Sequence, residues 1–420
     1  MKNYLTHLVC IIVLALISVT YFYPVLSGKS IQQSDISQFK GMSKQIVDHR
    51  EEFNEEPYWL DNAFLGMPSY QVSAKYPFDV LYYIDQTIRF LPRPADYLFL
   101  YLLSFYFLII SLNINYRYAL FGAMAFGFST YLIIILGVGH NTKALALGYL
   151  PLIVAGFLTV LRGSYLKGFL ISSLFLGLQV HANHYQMTYY TLIMLSIIVL
   201  VHYYSFINLK DFKKIYKSFS VFISIGFLAL LMNAPSLLAT KEYSEFSTRS
   251  KNEITINTDG STKESLNGLD KEYITEYSYG ILESFNLVFP RFMGGGSSER
   301  IREDSKFMDF VRSLDSNQAQ QVYQYSKVYW GDQPIVAAPA YIGVSIFFIF
   351  LMSLLLVNDL NRKWILIAVL VSLLLSWGKN FSFLTDLMID YFPLYDKFRA
   401  VSSIQVIIEF CIPLFAVFGL

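Results

Sequence analysis

The sequence predicts an all-α polytopic membrane protein, and three observations carry that reading. The 420 residues are 55% hydrophobic and 15% charged, with a mean hydropathy of +0.44, far from the composition of a soluble globular chain. Apolar runs recur at roughly the 17–25 residues that a helix needs to cross about 30 Å of hydrocarbon. Lys and Arg gather in alternate short loops, the asymmetry that fixes orientation.

About ten spans are predicted, over 5–26, 97–114, 118–138, 144–161, 168–182, 186–204, 218–238, 336–357, 364–378 and 403–420. The first follows Lys2 as a signal peptide would. However, no small-residue cleavage site follows Tyr21–Pro24 and Cys10 lacks the surroundings of a lipoprotein site, so the run reads as an uncleaved helix. With the N-terminus in the cytoplasm, the inner turns carry Arg117, then Arg162 and Lys167, then Lys210, Lys213, Lys214 and Lys217, then Arg362 and Lys363. The long loops 27–96 and 239–335 then face outward, as expected of a bacterial cytoplasmic (inner) membrane protein. The predicted organisation is a transmembrane module 1–238 that includes the outer loop 27–96, a second extracytoplasmic loop 239–335, and C-terminal transmembrane helices 336–420.

Within the first loop, DVLYYIDQTIRFL places Val80, Tyr83, Ile84, Ile88 and Leu91 on one helical face, which fits either a helix lying in the interface or one packed on other protein. In the second loop, the polar front STRSKNEITINTDGSTKESLNG predicts weak order, whereas ILESFNLVFPRFMGGGSSER and YSKVYWGDQPIVAAP read as a folded rim.

A net charge of +1 leaves no basic face for nucleic acid, and Cys10 and Cys411 have neither metal-ligand nor disulfide spacing and read as packing residues. No dinucleotide, P-loop, zincin or nucleophile-elbow pattern is present, and Gly294–Gly296 reads as a turn rather than a phosphate cradle. What remains is a layer of ionisable residues at the outer span ends: Asp35, His140, Lys143, His181, His184, Lys397 and Arg399. Charges near hydrocarbon are costly and mark function or find partners. A carboxylate facing cations at a membrane surface suits a phosphate-bearing lipid donor, the cations neutralising the leaving group and the acid taking a proton from, or orienting, the acceptor hydroxyl. Asp35 is the candidate catalytic acid and Glu283 the next choice. An N-cap role for Asp35 is the plain alternative. Asp35 with a histidine also leaves a divalent cation open.

GKSIQQSDISQF, YWLDNAFLGMPSY, GHNTKALALGYLP, HANHYQMTYY, NLVFPRFMGGGSS, YWGDQP, LLLSWGKNF and FPLYDKFRA together resemble the bacterial YfhO-type membrane proteins, in their Bacteroidetes-like branch, over nearly the whole chain. That resemblance implies a GT-C-like fold and a glycosyltransferase that moves a sugar from a polyprenyl-phosphate donor to an envelope glycopolymer, lipid or protein. It also implies a catalytic acid in the first outer loop, where Asp35 stands; the layer of outer ionisable residues itself supplies His140, Lys143, His184, Lys397 and Arg399 as substrate-binding candidates. Asp35 is followed by Ile36 and Ser37, so the paired-acid motif of many GT-C enzymes is absent. Chains of that family run longer, with an outer C-terminal domain, which implies that this one is incomplete. Glu409, inside the last run, keeps open a transporter or flippase of an envelope intermediate. A non-catalytic assembly scaffold is the third reading.

Overall fold

The computed structural model describes residues 2–250, 256, 260–261 and 268–420. Most of the polar stretch expected to be weakly ordered, 251–267, lies outside the described residues.

The chain opens with α1 (Lys2–Tyr21) and a short 3-10 turn, then builds its first loop from α2 (Ser34–Phe53), the hairpin β1 (Trp59–Leu60) and β2 (Met67–Pro68), and α3 (Val80–Ile88). The helical bundle continues with α4 (Ala95–Ser111), α5 (Tyr116–Gly127), α6 (Thr130–Val138), α7 (Asn141–Leu161), α8 (Tyr165–His181), α9 (Tyr185–Asn208) and α10 (Phe212–Met232). The second loop holds α11 (Ala234–Ser244), α12 (Lys271–Thr275), α13 (Lys306–Arg312) and α14 (Ser316–Tyr325). The chain closes with α15 (Val344–Leu356), α16 (Leu360–Ser376), α17 (Ser382–Tyr391) and α18 (Val406–Gly419).

The all-helical expectation holds: β1 and β2 form the one two-stranded sheet among the described residues. Five helical segments are long and apolar enough to cross a membrane, or up to seven if the bent pairs α5–α6 (50°) and α16–α17 (111°) each count as one. Every predicted run overlaps a helix, but breaks shorten several of them. The run 336–357 is helical only from Val344, because Pro339 and a left-handed Gly343 (φ 111°) hold the preceding chain irregular. The run 218–238 is cut at Asn233, where Pro235 starts a new helix.

Helix α7 is the axis of the bundle: its apolar window is 89% buried, against 17% for α10, whose side chains face outward. Close approach of α7 and α8 depends on Gly156, where a Cβ would lie 2.1 Å from Ser172 Oγ. Tyr97, Tyr101, Phe105, Phe410, Phe415 and Trp364 fill the core, and Cys10 and Cys411 pack into it as expected.

Helix α3 turns a different face inward from the one its apolar spacing suggests. Leu81 and Asp85 are buried, with Ile84 and Ile88 beside them, while Val80 and Tyr83 are exposed. The cause is polar. Asp85 forms an ion pair with Arg89, which also reaches Asp96, and Tyr149 of α7 donates a hydrogen bond to Asp85. A buried acid with satisfied partners overrides the hydrophobic stripe. The rest of the first loop closes over its own small core of Ile46, Leu60, Ala63 and Met67.

Candidate functional site

One cavity of about 400 Å³ opens where the α6–α7 turn meets the second loop and the chain before α18. Its wall includes Tyr131, His140, Lys143, Tyr279, Glu283, Gln333, Arg399, Ser402, Ser403 and Gln405. The sequence placed His140, Lys143 and Arg399 in one layer, and they do share this cavity, together with Glu283.

Lys143 enters from the first turn of α7 and is only 8% exposed. Its Nζ donates to Tyr131 Oη at 2.6 Å and to Ser403 Oγ at 3.2 Å. Arg399 donates to Tyr273 Oη at 2.6 Å, with its guanidinium 5.0 Å from the centre of that ring. Among the described residues no carboxylate oxygen lies within 4.0 Å of either cation. A buried ammonium held by two hydroxyls and no counter-charge retains its full attraction for an incoming anion. The positive end of α7 adds to that attraction.

Asp35 stands at the rim, in the first turn of α2, with its Oδ2 2.9 Å from His140 Nε2. It is not a cap: the N-cap position is Gln33, with no side-chain cap bond. Two packing contacts hold α2 against the α6–α7 turn. Gln33 Nε2 donates to the Leu136 carbonyl. Gly139 is left-handed (φ 96°), and a Cβ there would come within 3.0 Å of Gln33 and 3.1 Å of Ile36. The pairing of residues 35 and 140 thus depends on a glycine between two helices.

The His140 side chain lines the cavity and is 46% exposed. Burial first, then the Lys143 charge, lowers its pKa below the ordinary histidine value, and Asp35 only partly opposes this. His184, at the N-cap of α9, feels burial first and then the charges of Lys143 and His140, and is driven down to about 3. His184 therefore belongs to the same electrostatic neighbourhood but is a neutral imidazole, not a cation.

Glu283 is 1% exposed. It accepts from the backbone N–H groups of Gly280 at 3.0 Å and Asp332 at 3.3 Å, from Gln333 Nε2 at 3.0 Å, and from Tyr329 Oη. The carboxylate thereby pins the YWGDQP segment as one wall of the cavity. Gln405, 5% exposed in another wall, leaves its Oε1 without a partner. One turn deeper on α18, Glu409 accepts from Ser129 at the α5–α6 break and leaves its own Oε1 unpartnered.

Two predicted residues lie elsewhere. Lys397 pairs with its neighbour Asp396 at 2.7 Å and does not line the cavity. His181 joins Asp79 at 2.7 Å in a second, more apolar pocket between α3, α8 and α10. There burial opposes the Asp79 charge, but the His181 hydrogen bond and charge outweigh it and lower that carboxyl's pKa. Tyr131, Tyr279, Ser403 and Gln405 carried no motif, Gln333 was quoted only within YWGDQP without a role, and the fold brings all five to the cavity. No group of three or more His, Cys, Asp or Glu residues suited to a metal occurs among the described residues, so Asp35 and His140 make an incomplete ligand set.

Fold and cavity together define a class: a helical protein with several long apolar helices of membrane-spanning character and, at one end of its central helix, a pocket with two uncompensated cations and an acid–histidine pair. Comparison with known proteins returned no matching family model, no matching curated protein and no matching solved structure.

Proposed function

We propose that this chain is a membrane glycosyltransferase of GT-C type that uses a polyprenyl-phosphate sugar at the outer face of a bacterial cytoplasmic membrane. The observation that carries the reading is Lys143, a buried ammonium with no carboxylate partner among the described residues, in a cavity shared with Arg399 and flanked by the Asp35–His140 pair. Lys143 and Arg399 receive the phosphate, as a point charge and a planar fork, and stabilise the charge that grows on it as the sugar leaves. The Asp35–His140 pair serves the acceptor hydroxyl at the rim. In this reading ten spans alternate so that loops 27–96 and 239–335 face outward, as the loop charges favour.

The test is transfer from a panel of radiolabelled polyprenyl-phosphate sugars by the reconstituted chain, beside the envelope component that loses a sugar when the gene is deleted. Asp35→Asn is expected to lower turnover by about 10²–10⁴ with donor binding retained. A normal rate in that variant removes Asp35 from the chemistry.

One observation favours a second reading. Glu409 is buried against Ser129 at the break between α5 and α6, and a carboxyl at a broken helix is what a proton-coupled transporter of an envelope intermediate uses. Proton-driven flux abolished by Glu409→Gln, with no sugar transfer by the unmodified chain, would select it.

A further inference from the structure

We infer that His140 takes the acceptor proton and that Asp35 is its positioning residue, so the base of this site is an imidazole on the cavity wall rather than the carboxylate at the rim. The inference rests on the transferase reading and assigns the roles within its acid–histidine pair.

Three geometric observations lead to it. His140 lines the cavity and Asp35 does not. The contact between them uses Nε2, at 2.9 Å from Asp35 Oδ2, an ion-pair distance outside hydrogen-bond geometry, and Nδ1 faces no carboxylate among the described residues. At that distance the carboxylate attracts a proton on Nε2 and repels a lone pair there, so its charge favours the tautomer with the proton on Nε2 and the lone pair on Nδ1. A ring in that state accepts a proton at one nitrogen while the acid at the other stabilises the imidazolium that forms.

The surrounding charges keep the ring ready. Burial and Lys143 hold it neutral at pH 7 against the pull of Asp35, and His184, the other imidazole in range, is neutral as well. When the acceptor proton moves to Nδ1, the acceptor oxygen bonds to the anomeric carbon of the sugar. The bond from that carbon to the phosphate oxygen breaks, and its electron pair leaves with the phosphate, facing Lys143 and Arg399. One proton stays on His140 until solvent removes it. Asp35, 42% exposed on its side chain, contacts water at the rim and offers that proton a route out.

Two measurements test this on the full chain in lipid nanodiscs. In ¹⁵N-histidine spectra at pH 7, His140 is expected to be neutral, with a protonated Nε2 and a bare Nδ1, and Asp35→Ala is expected to let the two tautomers mix. A proton on Nδ1, or an imidazolium at pH 7, overturns the assignment. In the transfer assay, His140→Gln is expected to lose at least as much rate as Asp35→Asn, about 10²–10⁴, and added imidazole to restore part of it. Wild-type turnover in His140→Gln overturns the role. If the spectra are as expected and the unmodified chain transfers no sugar, the transferase reading fails while the tautomer assignment stands, so the two failures are distinguishable.

Discussion

Replacing Lys143 by methionine tests the anion site directly, because the change keeps an unbranched apolar stem, one atom shorter, and removes the charged donor group. In the structure the ammonium loses water on burial, recovers two hydroxyl contacts at 2.6 and 3.2 Å, and gains no counter-charge. Each of those hydrogen bonds has a charged donor and contributes about 1.5–3 kcal/mol, and the desolvation relieved by removing the charge offsets most of that. Lys143→Met is therefore expected to leave folding stability within about 2 kcal/mol of wild type. Its effect on a bound phosphate is one-sided. A charge-assisted contact is worth about 1.5–3 kcal/mol, or roughly ten- to 150-fold in Kd. Titration of farnesyl phosphate by calorimetry, beside thermal unfolding in the same detergent, reads both quantities. Unchanged affinity, or a fold that collapses without the charge, would refute the reasoning.

The other predictions follow from single contacts. Gly139→Ala forces a Cβ against Gln33 and Ile36 from a left-handed backbone, a strain of roughly 1–2 kcal/mol; it is expected to lower transfer while farnesyl phosphate still binds, and equal loss of both would show that the turn supports the whole cavity. Glu283→Gln turns an acceptor of four hydrogen bonds into a group with an amide end facing donors, at about 1–3 kcal/mol; faster proteolysis around Trp330 checks it. A cysteine at Ser261 is expected to react with an impermeant maleimide in intact cells, and labelling only after lysis reverses the orientation. His140 is protonated only below its lowered pKa, so transfer is expected to rise with pH through a midpoint below 6.5 and then stay level to pH 8; a midpoint above 7 assigns the limiting base to another group.

The sequence made the membrane class and the cation layer legible for one reason. Span length and loop charge are bulk properties of the chain, and alternating topology then stacks distant residues at one end. That logic brought His140, Lys143 and Arg399 together correctly. It could not say which way each side chain turns, and Lys397, two residues from Arg399, spends its charge on Asp396. Nor could it find the partner of Asp35, 105 residues away, because a contact between helices is set by shape at Gly139 rather than by spacing. Asp85 misled in the opposite direction. A charged residue in an amphipathic stretch marks the polar face by pattern, yet here Arg89, Asp96 and Tyr149 bury it.

The two cations of the cavity are mounted differently. Lys143 rises from the first turn of α7, a helix whose apolar window is 89% buried. Arg399 sits on irregular chain between left-handed Leu394 (φ 65°) and Ala400 (φ 59°), tied to α9 by Gln186 Nε2 at the Arg399 carbonyl (2.5 Å) and Tyr189 Oη at the Pro393 carbonyl (2.8 Å). The cavity thus takes one cation from a regular helix and the other from irregular chain held by side chains of a neighbouring helix. The 393–400 segment is also tied to the second loop, through Ala400 N–H at the Ile274 carbonyl and Leu269 N–H at the Asp396 carbonyl. Substitutions at Gln186 and Tyr189 therefore bear on the Arg399 side of the cavity, whereas Lys143 depends on the first turn of α7.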